Sequence, residues 1–343
     1  MPENTRRDFL QKTLGVLGLT AAGAVVAGRT NPAGAAQGGA AADGNFLTLT
    51  AAAKPHDSVR IIDTETMPWP EPDKEYGWKV KTLFRNEQTG DHLIIIQVAI
   101  GAPGGRIHYH NFHEWAYWLS GDFTNNEYTH PQQQLGDFQQ FREGIFLDRP
   151  AFSLHGGEPD RLDSQVGGTC LIMEEGGKTL YVRPDHPKYS DDWKTVKQWA
   201  VPRLIDTLAE MPWEPYPEAD GVLIKRLVDD QVRGFRARMW RLPAGWQSAQ
   251  APAFAGPYYY EQAHQFNFVL NGDVRIQAYS APGRKAEAVR LGKSFYFERP
   301  PMSIFGLAEG QVSEEGCVWL EVTYGKGTAI HNVPIKAPTL APA

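Results

Sequence analysis

The chain has 343 residues, enough for one large or two ordinary domains with sizeable cores. Apolar residues make up 42% of it and charged residues 22%, and its formal net charge of −6 gives no electrostatic reason to expect binding to nucleic acid or to an anionic membrane surface. Ten Trp, 13 Tyr and 16 Phe, together with 34 Gly and 25 Pro, favour many short strands joined by turns over long helices.

Residues 1–36 are predicted to be an export signal peptide rather than part of the fold. The segment Thr5-Arg6-Arg7-Asp8-Phe9-Leu10 resembles the twin-arginine export motif, and a Gly/Ala-rich stretch follows that is too short and too weakly apolar to span a membrane. Ala33-Gly34-Ala35 is a candidate cleavage site. We therefore expect a protein that the twin-arginine pathway carries, already folded, to the periplasm or out of the cell, with no stable membrane insertion.

After a Gly/Ala-rich linker at 37–56, the sequence runs through two weakly similar copies. Three segments of the first copy return in the second in the same order: Ile62-Asp63-Thr64 as Ile205-Asp206-Thr207, Gly121-Asp122 as Gly272-Asp273, and Arg149-Pro150 as Arg299-Pro300. Matches that stay in register over the whole length indicate a duplicated domain of about 150 residues. The predicted domains span 57–200 and 201–338.

Each copy has the pattern of a β-domain. His92–Ile100 is an unbroken, β-branched run, and Trp115–Leu119 is an aromatic run that stops at the turn signal Gly121-Asp122. Val222–Val228 and Phe235–Leu242 predict the matching strands of the second copy, while 190–200 is the best candidate for a short helix. Duplicated all-β domains of this size most easily form two barrels or sandwiches.

The candidate chemistry lies in the first copy. His108 and His110 occupy alternate positions, so their imidazoles share one face of a strand, and Glu114 opens the next strand close to both. Some 30 residues further on, a turn that begins at Gly144 leads to His155. Three imidazoles and one carboxylate suit Mn, Fe, Ni, Cu or Zn, and the absence of thiolates from this set argues against a structural zinc site or an iron–sulfur cluster.

These two segments resemble the paired motifs of the cupin family. The first motif corresponds to His108-x-His110-x3-Glu114-x6-Gly121, and the second to Gly144-x5-Pro150-x-Phe152-x2-His155. The chain departs from the family pattern at Ala102 and Phe152, where the motifs have Gly, and no Asn follows His155 at the family's spacing. The resemblance implies an all-β bicupin, two tandem double-stranded β-helix barrels of jelly-roll type, with His108, His110, Glu114 and His155 as metal ligands.

The second copy lacks the equivalent ligands. When Gly272 is aligned on Gly121, Gln265 stands at the Glu114 position. Tyr259 stands at the His108 position and Glu261 at the His110 position. Phe305 replaces His155. This is a poor set for a transition metal. We therefore predict a degenerate second barrel that supports the first barrel or a dimer.

The resemblance leaves three functions open, because fold and ligands alone do not define a reaction. The first is a metal-dependent oxidoreductase of dioxygenase type that acts on a small hydroxylated aromatic or enol-type substrate. In it Glu114 is a ligand and catalytic proton acceptor, and Trp118, which strand alternation points inward, helps bind the substrate. The second is an oxygen-independent lyase, decarboxylase or isomerase, and the third is a non-catalytic periplasmic metal- or ligand-binding protein.

The expected cofactor is one divalent transition metal. Fe or Mn is favoured, because loading before export would take place in the cytoplasm, while Cu, Ni or Zn stays possible. The expected partner is a small-molecule substrate. A monomer whose two barrels imitate a dimer and a true homodimer are both compatible with the sequence.

Overall fold

The computed structural model describes residues 59–74, 76–103, 107–129, 133, 136–157, 163–182, 200–248, 259–260, 263–278, 287–301, 303, 305–325 and 333–334. The predicted signal peptide and linker lie outside the described residues, as does the predicted helix at 190–200 apart from its last residue. All described residues belong to one unit, Ala41–Ala343, and the predicted boundaries of the two domains stay a prediction.

The described residues form strands and no α-helix. The strands of the first copy are β1 Arg60–Asp63, β2 Lys79–Arg85, β3 His92–Val98, β4 His108–His110, β5 Glu114–Glu127, β6 Asp137–Arg142, β7 Ile145–Arg149, β8 His155–Gly156, β9 Gly168–Glu174 and β10 Thr179–Tyr181. Those of the second copy are β11 Arg203–Asp206, β12 Glu214–Pro215, β13 Leu223–Asp230, β14 Phe235–Leu242, β15 Tyr259–Tyr260, β16 His264–Gly272, β17 Val274–Ala278, β18 Glu287–Leu291, β19 Phe295–Arg299, β20 Phe305–Leu307, β21 Cys317–Tyr324 and β22 Val333–Pro334.

The strands build two tandem jelly-roll barrels, which confirms the predicted all-β class. The first barrel is one ten-stranded sheet with a main path β10-β4-β8-β5-β9-β3-β2, to which β6, β7 and β11 are attached. The second consists of a seven-stranded sheet, β1-β19-β16-β21-β14-β13-β12, and a five-stranded sheet, β18-β17-β20-β15-β22. No helix in the described part of the chain is long and apolar enough to cross a membrane.

The two copies exchange their first strands. β1, from the start of the first copy, pairs antiparallel with β19 of the second barrel. β11, from the start of the second copy, pairs with β7 of the first barrel in the equivalent place. The repeated Ile-Asp-Thr segment therefore links the barrels, because each copy of it completes the sheet of the other.

Hydrogen bonds and a cation–π contact fix each exchanged strand. Thr64 Oγ1 donates to the carbonyl oxygen of Ser294 over 2.7 Å, and Thr207 Oγ1 donates to that of Gly144 over 2.7 Å. Lys81 donates to the carbonyl oxygen of Thr64 and lies 4.1 Å from the Trp69 ring centre. Lys225 makes the matching contacts with Thr207 and Trp213 in the other copy. The repeated Met-Pro-Trp segments thus supply the rings that cover these two buried ammonium groups.

The Gly-Asp pair marks a close approach of two chain segments in both barrels. Gly121 has a φ of +72°, and a side chain there would place its Cβ 1.9 Å from the carbonyl oxygen of Gly167. Asp122 then accepts hydrogen bonds from Ser164 Oγ and the amide of Val166. The predicted stop of the strand at this pair is wrong for the first copy, because β5 runs on to Glu127 after a register shift between Trp118 and Ser120.

The largest hydrophobic core lies where the two barrels meet. Trp115 and Phe266, both fully buried, belong to this core, and Trp115 Nε1 donates a hydrogen bond to Tyr324 Oη of the other barrel over 2.8 Å. Each barrel also has a core of its own: the first contains Trp118 and Phe141, and the second Trp240 and Trp319 among others. Burial of large aromatic side chains from both copies holds the two barrels together.

Candidate metal centre

Two neighbouring strands of the first barrel bring the predicted histidines together. His108 and His110 lie on β4, and His155 on the neighbouring β8 is paired with His108 in the sheet register. One ring nitrogen of each histidine lies within 4.8 Å of the others, so the three can converge on one metal ion. His110 and His155 are buried, and His108 is partly buried.

Hydrogen bonds orient two of these rings. His155 Nδ1 donates to the carbonyl oxygen of Ser153 over 2.9 Å, so the lone pair of its Nε2 is free for a metal. His110 Nδ1 lies 3.1 Å from Thr179 Oγ1 on β10. His110 Nε2 is buried, and within the described chain the Glu114 carboxylate lies 3.2 Å from it without a well-formed hydrogen bond. A buried imidazole nitrogen that faces a carboxylate in this way fits a metal-binding role.

The predicted fourth ligand, Glu114, lies beside the cluster and divides its carboxylate between two partners. Its Oε2 is 3.2 Å from His110 Nε2, and its Oε1 pairs with Nη1 of Arg149 on β7. Nη2 of Arg149 pairs in turn with Oε1 of Glu127, at the far end of β5. All three side chains of this Glu114–Arg149–Glu127 triad are buried.

The protonation states at the site follow from burial and from Arg149. Burial alone would raise the pKa of Glu114, but Arg149 and the nearby His110 outweigh it and lower that pKa to about 2. Burial also raises the pKa of Glu127 despite the same arginine. Burial, then Arg149, lowers the pKa of His155 well below its usual value. The site thus presents an ionised carboxylate and a neutral imidazole, which are the forms that bind a metal.

The cluster lies in the wall of a cavity of about 280 Å³ inside the first barrel. Trp118 lines this cavity, as strand alternation predicted, and its ring stacks on Phe141 with the ring centres 4.2 Å apart. The other aromatic side chains in the wall are Tyr76, Trp78, Phe123 and Tyr181, and the polar ones besides those already named are Asn125, Asp163 and Glu174. A cavity wall that combines aromatic and polar side chains suits a small unsaturated ligand with polar groups.

Glu174 is a further carboxylate in the cavity wall, and it lies next to Glu114 in the sheet register. Its Oε2 lies 3.2 Å from Nε2 of His92, the next residue in the same row across the sheet. The hydrogen bond that His92 donates to Glu174 raises the pKa of His92, against the effect of partial burial. Both side chains are about a quarter exposed, so this pair connects the cavity wall with solvent.

The second barrel keeps the backbone arrangement of the site but not its side chains. Tyr259 pairs with Phe305 in register as His108 does with His155, and Gln265 pairs with Arg299 as Glu114 does with Arg149. Arg299 Nη1 donates to Gln265 Oε1 over 2.6 Å and lies over the Phe305 ring. The cavity beside them measures about 30 Å³. Glu261 lies outside the described residues.

His113 has a structural environment, although it precedes Glu114 directly. Its Nε2 lies 2.7 Å from Asp148 Oδ1, and its ring packs edge-on against Phe235 of the other barrel. His264 holds the equivalent place in the second barrel, with Glu298 as its carboxylate partner over 2.8 Å. Both histidines thus belong to the contact between the barrels.

Solved structures with the same fold include several two-barrel cupins. Oxalate decarboxylase of Bacillus subtilis, studied for its Mn(II) centres, is 12% identical over 84% of this chain and 82% of that chain, with a TM-score of 0.52. A candidate dioxygenase from Nostoc punctiforme is 12% identical, with 85% and 91% covered and a TM-score of 0.53. The coconut allergen cocosin is 10% identical, with 81% and 88% covered and a TM-score of 0.54. No protein-family model and no curated protein matches this sequence.

At this level of identity the likeness shows the fold alone, and that fold is the bicupin fold expected from the motifs. Sequence reasoning missed the roles of Arg149, Glu127 and Glu174. The repetition of Arg149-Pro150 as Arg299-Pro300 was a usable signal for the arginine. The two glutamates had none, because their proximity to the site depends on strand pairings that the sequence does not reveal.

Proposed function

We propose that this chain is a metal-dependent enzyme whose first barrel holds one divalent transition metal through His108, His110, His155 and Glu114. The observation that carries the proposal is the convergence of three imidazole nitrogens in the wall of a cavity within the first barrel. The buried His110 nitrogen without a hydrogen bond and the low pKa of Glu114 support it. We propose no metal for the second barrel, where the Arg299–Gln265 pair and Phe305 occupy the equivalent places.

Mn or Fe is the metal that we favour. Imidazole and carboxylate donors suit both, and the bicupin oxalate decarboxylase of similar fold has Mn(II) centres. Loading in the cytoplasm before export would also favour these two metals over Cu. Ni, Cu and Zn are the other candidates to compare by elemental analysis.

The reaction that we propose is an oxidation of dioxygenase type on a small hydroxylated aromatic or enol-type substrate. When bound, the metal would supply Lewis-acid and redox chemistry at the three histidines in the cavity wall. Trp118, backed by Phe141, offers a flat apolar wall to an unsaturated ring. Glu114 is the proposed catalytic residue: it is ionised over the physiological pH range and can accept a hydroxyl proton from the substrate.

A second candidate, an oxygen-independent lyase, decarboxylase or isomerase, is favoured by one observation. Such a reaction needs an acid or base that is not a metal ligand. Glu174 is a carboxylate in the cavity wall with His92 behind it, and this pair can pass a proton between the cavity and solvent.

Oxygen consumption discriminates between these reactions. The metal-loaded chain and a His155→Ala variant are screened against catechols, flavonols and enolisable keto acids, with an oxygen electrode and with product analysis under air and under strict anaerobiosis. The proposal predicts turnover that requires both oxygen and His155. Equal turnover without oxygen would replace it by the second candidate, and tight metal binding without turnover of any substrate would favour a binding protein.

We also propose that the chain is exported to the periplasm or beyond through its twin-arginine motif at Arg6 and Arg7. Replacement of both arginines by lysine keeps the charge and removes the motif. Cell fractionation should then find the variant in the cytoplasm and the wild type in the periplasm or medium. An unchanged distribution would contradict the export proposal and leave the metal proposal intact.

A further inference from the structure

Arg149 is the buried cation of the first barrel that lies nearest the proposed metal ligands. Its side chain is only 5% exposed, and its two terminal nitrogens pair with the carboxylates of Glu114 and Glu127. Glu127 thereby fixes the guanidinium from the side opposite Glu114. Arg149 lies in the cavity wall, and both of its terminal nitrogens are already paired with carboxylates.

This pairing decides which oxygen of Glu114 faces the histidines. Oε1 is bound to Arg149, whereas Oε2 lies 3.2 Å from His110 Nε2. Carboxylates can bind a metal through one oxygen or through both. Because Arg149 occupies Oε1, only Oε2 is directed at the cluster.

The second barrel shows what the arginine does without a carboxylate ligand. Arg299 stands in the same register position and donates to the amide oxygen of Gln265 over 2.6 Å. Ala278 pairs with Phe305 where Glu127 pairs with His155, so the position equivalent to Glu127 carries no carboxylate. The arginine is thus common to both barrels, whereas glutamates occupy the Glu114 and Glu127 register positions in the first barrel and Gln265 and Ala278 occupy them in the second.

We infer that Arg149 is a positioning residue that restricts Glu114 to a single metal-facing oxygen and so keeps open a coordination position that the second oxygen would otherwise fill. This inference rests on the proposed metal site. In this inference Arg149 determines how Glu114 binds the metal, and Glu127 holds Arg149 in place. Partners of this kind commonly change metal affinity by about 10- to 100-fold when they are removed.

The test counts the water molecules bound to Mn(II) in the full chain, by pulsed electron paramagnetic resonance in isotopically labelled water. The samples are the wild type, Arg149→Met and Arg149→Lys, with Arg299→Met as the matched control. Arg149→Met and Arg149→Lys should each bind Mn(II) about 10-fold less tightly and hold one water fewer than the wild type, because Oε1 of Glu114 becomes a ligand. Arg149→Lys keeps the charge and is the variant to measure if Arg149→Met does not fold. Its single ammonium group cannot bind both carboxylates with the planar, two-pronged geometry of the guanidinium.

The outcomes separate this inference from the proposal beneath it. A wild type that binds no Mn(II) would contradict the proposed metal site itself. A wild type that binds Mn(II), with Arg149 variants of unchanged water count, would overturn the inference alone. Complete loss of Mn(II) from folded Arg149 variants would also overturn the inference. Arg149 would then be needed for metal binding itself, and not for restricting Glu114 to one oxygen. A changed water count in Arg299→Met would show that the effect is not local to the site, and so would contradict the inference as well.

Discussion

The two barrels place the same arginine at the same point of the same fold and surround it differently. Arg149 lies between Glu114 and Glu127 beside a cavity of about 280 Å³, while Arg299 meets Gln265 and the Phe305 ring beside one of about 30 Å³. The exchanged strands are alike in both barrels, and so is the glycine of the Gly-Asp pair, with a φ of +72° at Gly121 and at Gly272. In this duplicated chain, the residues that repeat mark the scaffold, and the residues that break the repeat mark the candidate site.

The largest expected effect concerns the partners of the two arginines. Arg149→Met leaves two buried carboxylates without their cation and should lower the free energy of unfolding by about 3–5 kcal/mol. Arg299→Met removes the hydrogen bond to the neutral amide of Gln265, and the loss of that bond should cost about 1–2 kcal/mol. Urea unfolding of the metal-free variants measures both, and equal losses would mean that the charge difference between the barrels has no energetic weight.

A smaller effect is expected at the turns that receive the exchanged strands. Gly144 and Ser294 occupy equivalent places with φ values of +85° and +68°. Gly144→Ser should cost about 1–2 kcal/mol, because an L-residue is strained there and the new Cβ would lie 2.4 Å from Leu208 Cγ.

The reverse substitution, Ser294→Gly, should stabilise the protein by less than about 1 kcal/mol, because the flexibility of glycine in the unfolded chain offsets part of the relief. Urea midpoints of the two variants, each compared with the wild type, measure the pair of effects. A Gly144→Ser variant as stable as the wild type would contradict this prediction. It would show that the turn in the first barrel tolerates a serine at positive φ, as the turn in the second barrel does at Ser294.

The smallest effect depends on pH and belongs to His92 and Glu174 of the first barrel. Because Glu174 raises the pKa of His92 in the folded chain, the stabilisation from this pair is fully present below the unfolded-state pKa of about 6.5 and is lost as pH rises through the higher folded value. The wild type should therefore be more stable than Glu174→Gln, and its advantage in free energy of unfolding should be about 0.5 kcal/mol larger at about pH 5.5 than at about pH 8.5. The effect is small because solvent screens a pair that is partly exposed. Thermal unfolding at both pH values checks this, and a difference that does not vary with pH would exclude the pair as its source.

Much of the site could be predicted because its signal is local. The alternation of His108 and His110 and the spacing to His155 were sufficient to place three side chains that the structure brings within 4.8 Å. The inward direction of Trp118 followed from strand alternation alone. The repeat likewise indicated two barrels, since each copy carries its own strand and turn pattern.

What could not be predicted depends on pairing between distant segments. The pairing of β11 with the other copy's barrel follows from backbone hydrogen bonds that any extended segment can make, so no residue pattern specifies the partner. β5 continues past Gly121 because its register shifts after Trp118. The sequence does not reveal this shift, since the Gly121-Asp122 pair has the pattern of a turn. Glu127 reaches Arg149 only because β5 is long enough to pair with β8.

The central claim, one metal ion in the first barrel only, is tested most directly by elemental analysis of the purified full chain. The wild type, His108→Ala and Phe305→Leu are compared after anaerobic reconstitution with Mn(II), Fe(II), Ni(II), Cu(II) and Zn(II). The account predicts about one ion per chain in the wild type and in Phe305→Leu, and less than about a tenth of that in His108→Ala. A wild type that binds none of these metals, or a His108→Ala variant that keeps its full complement, would contradict it.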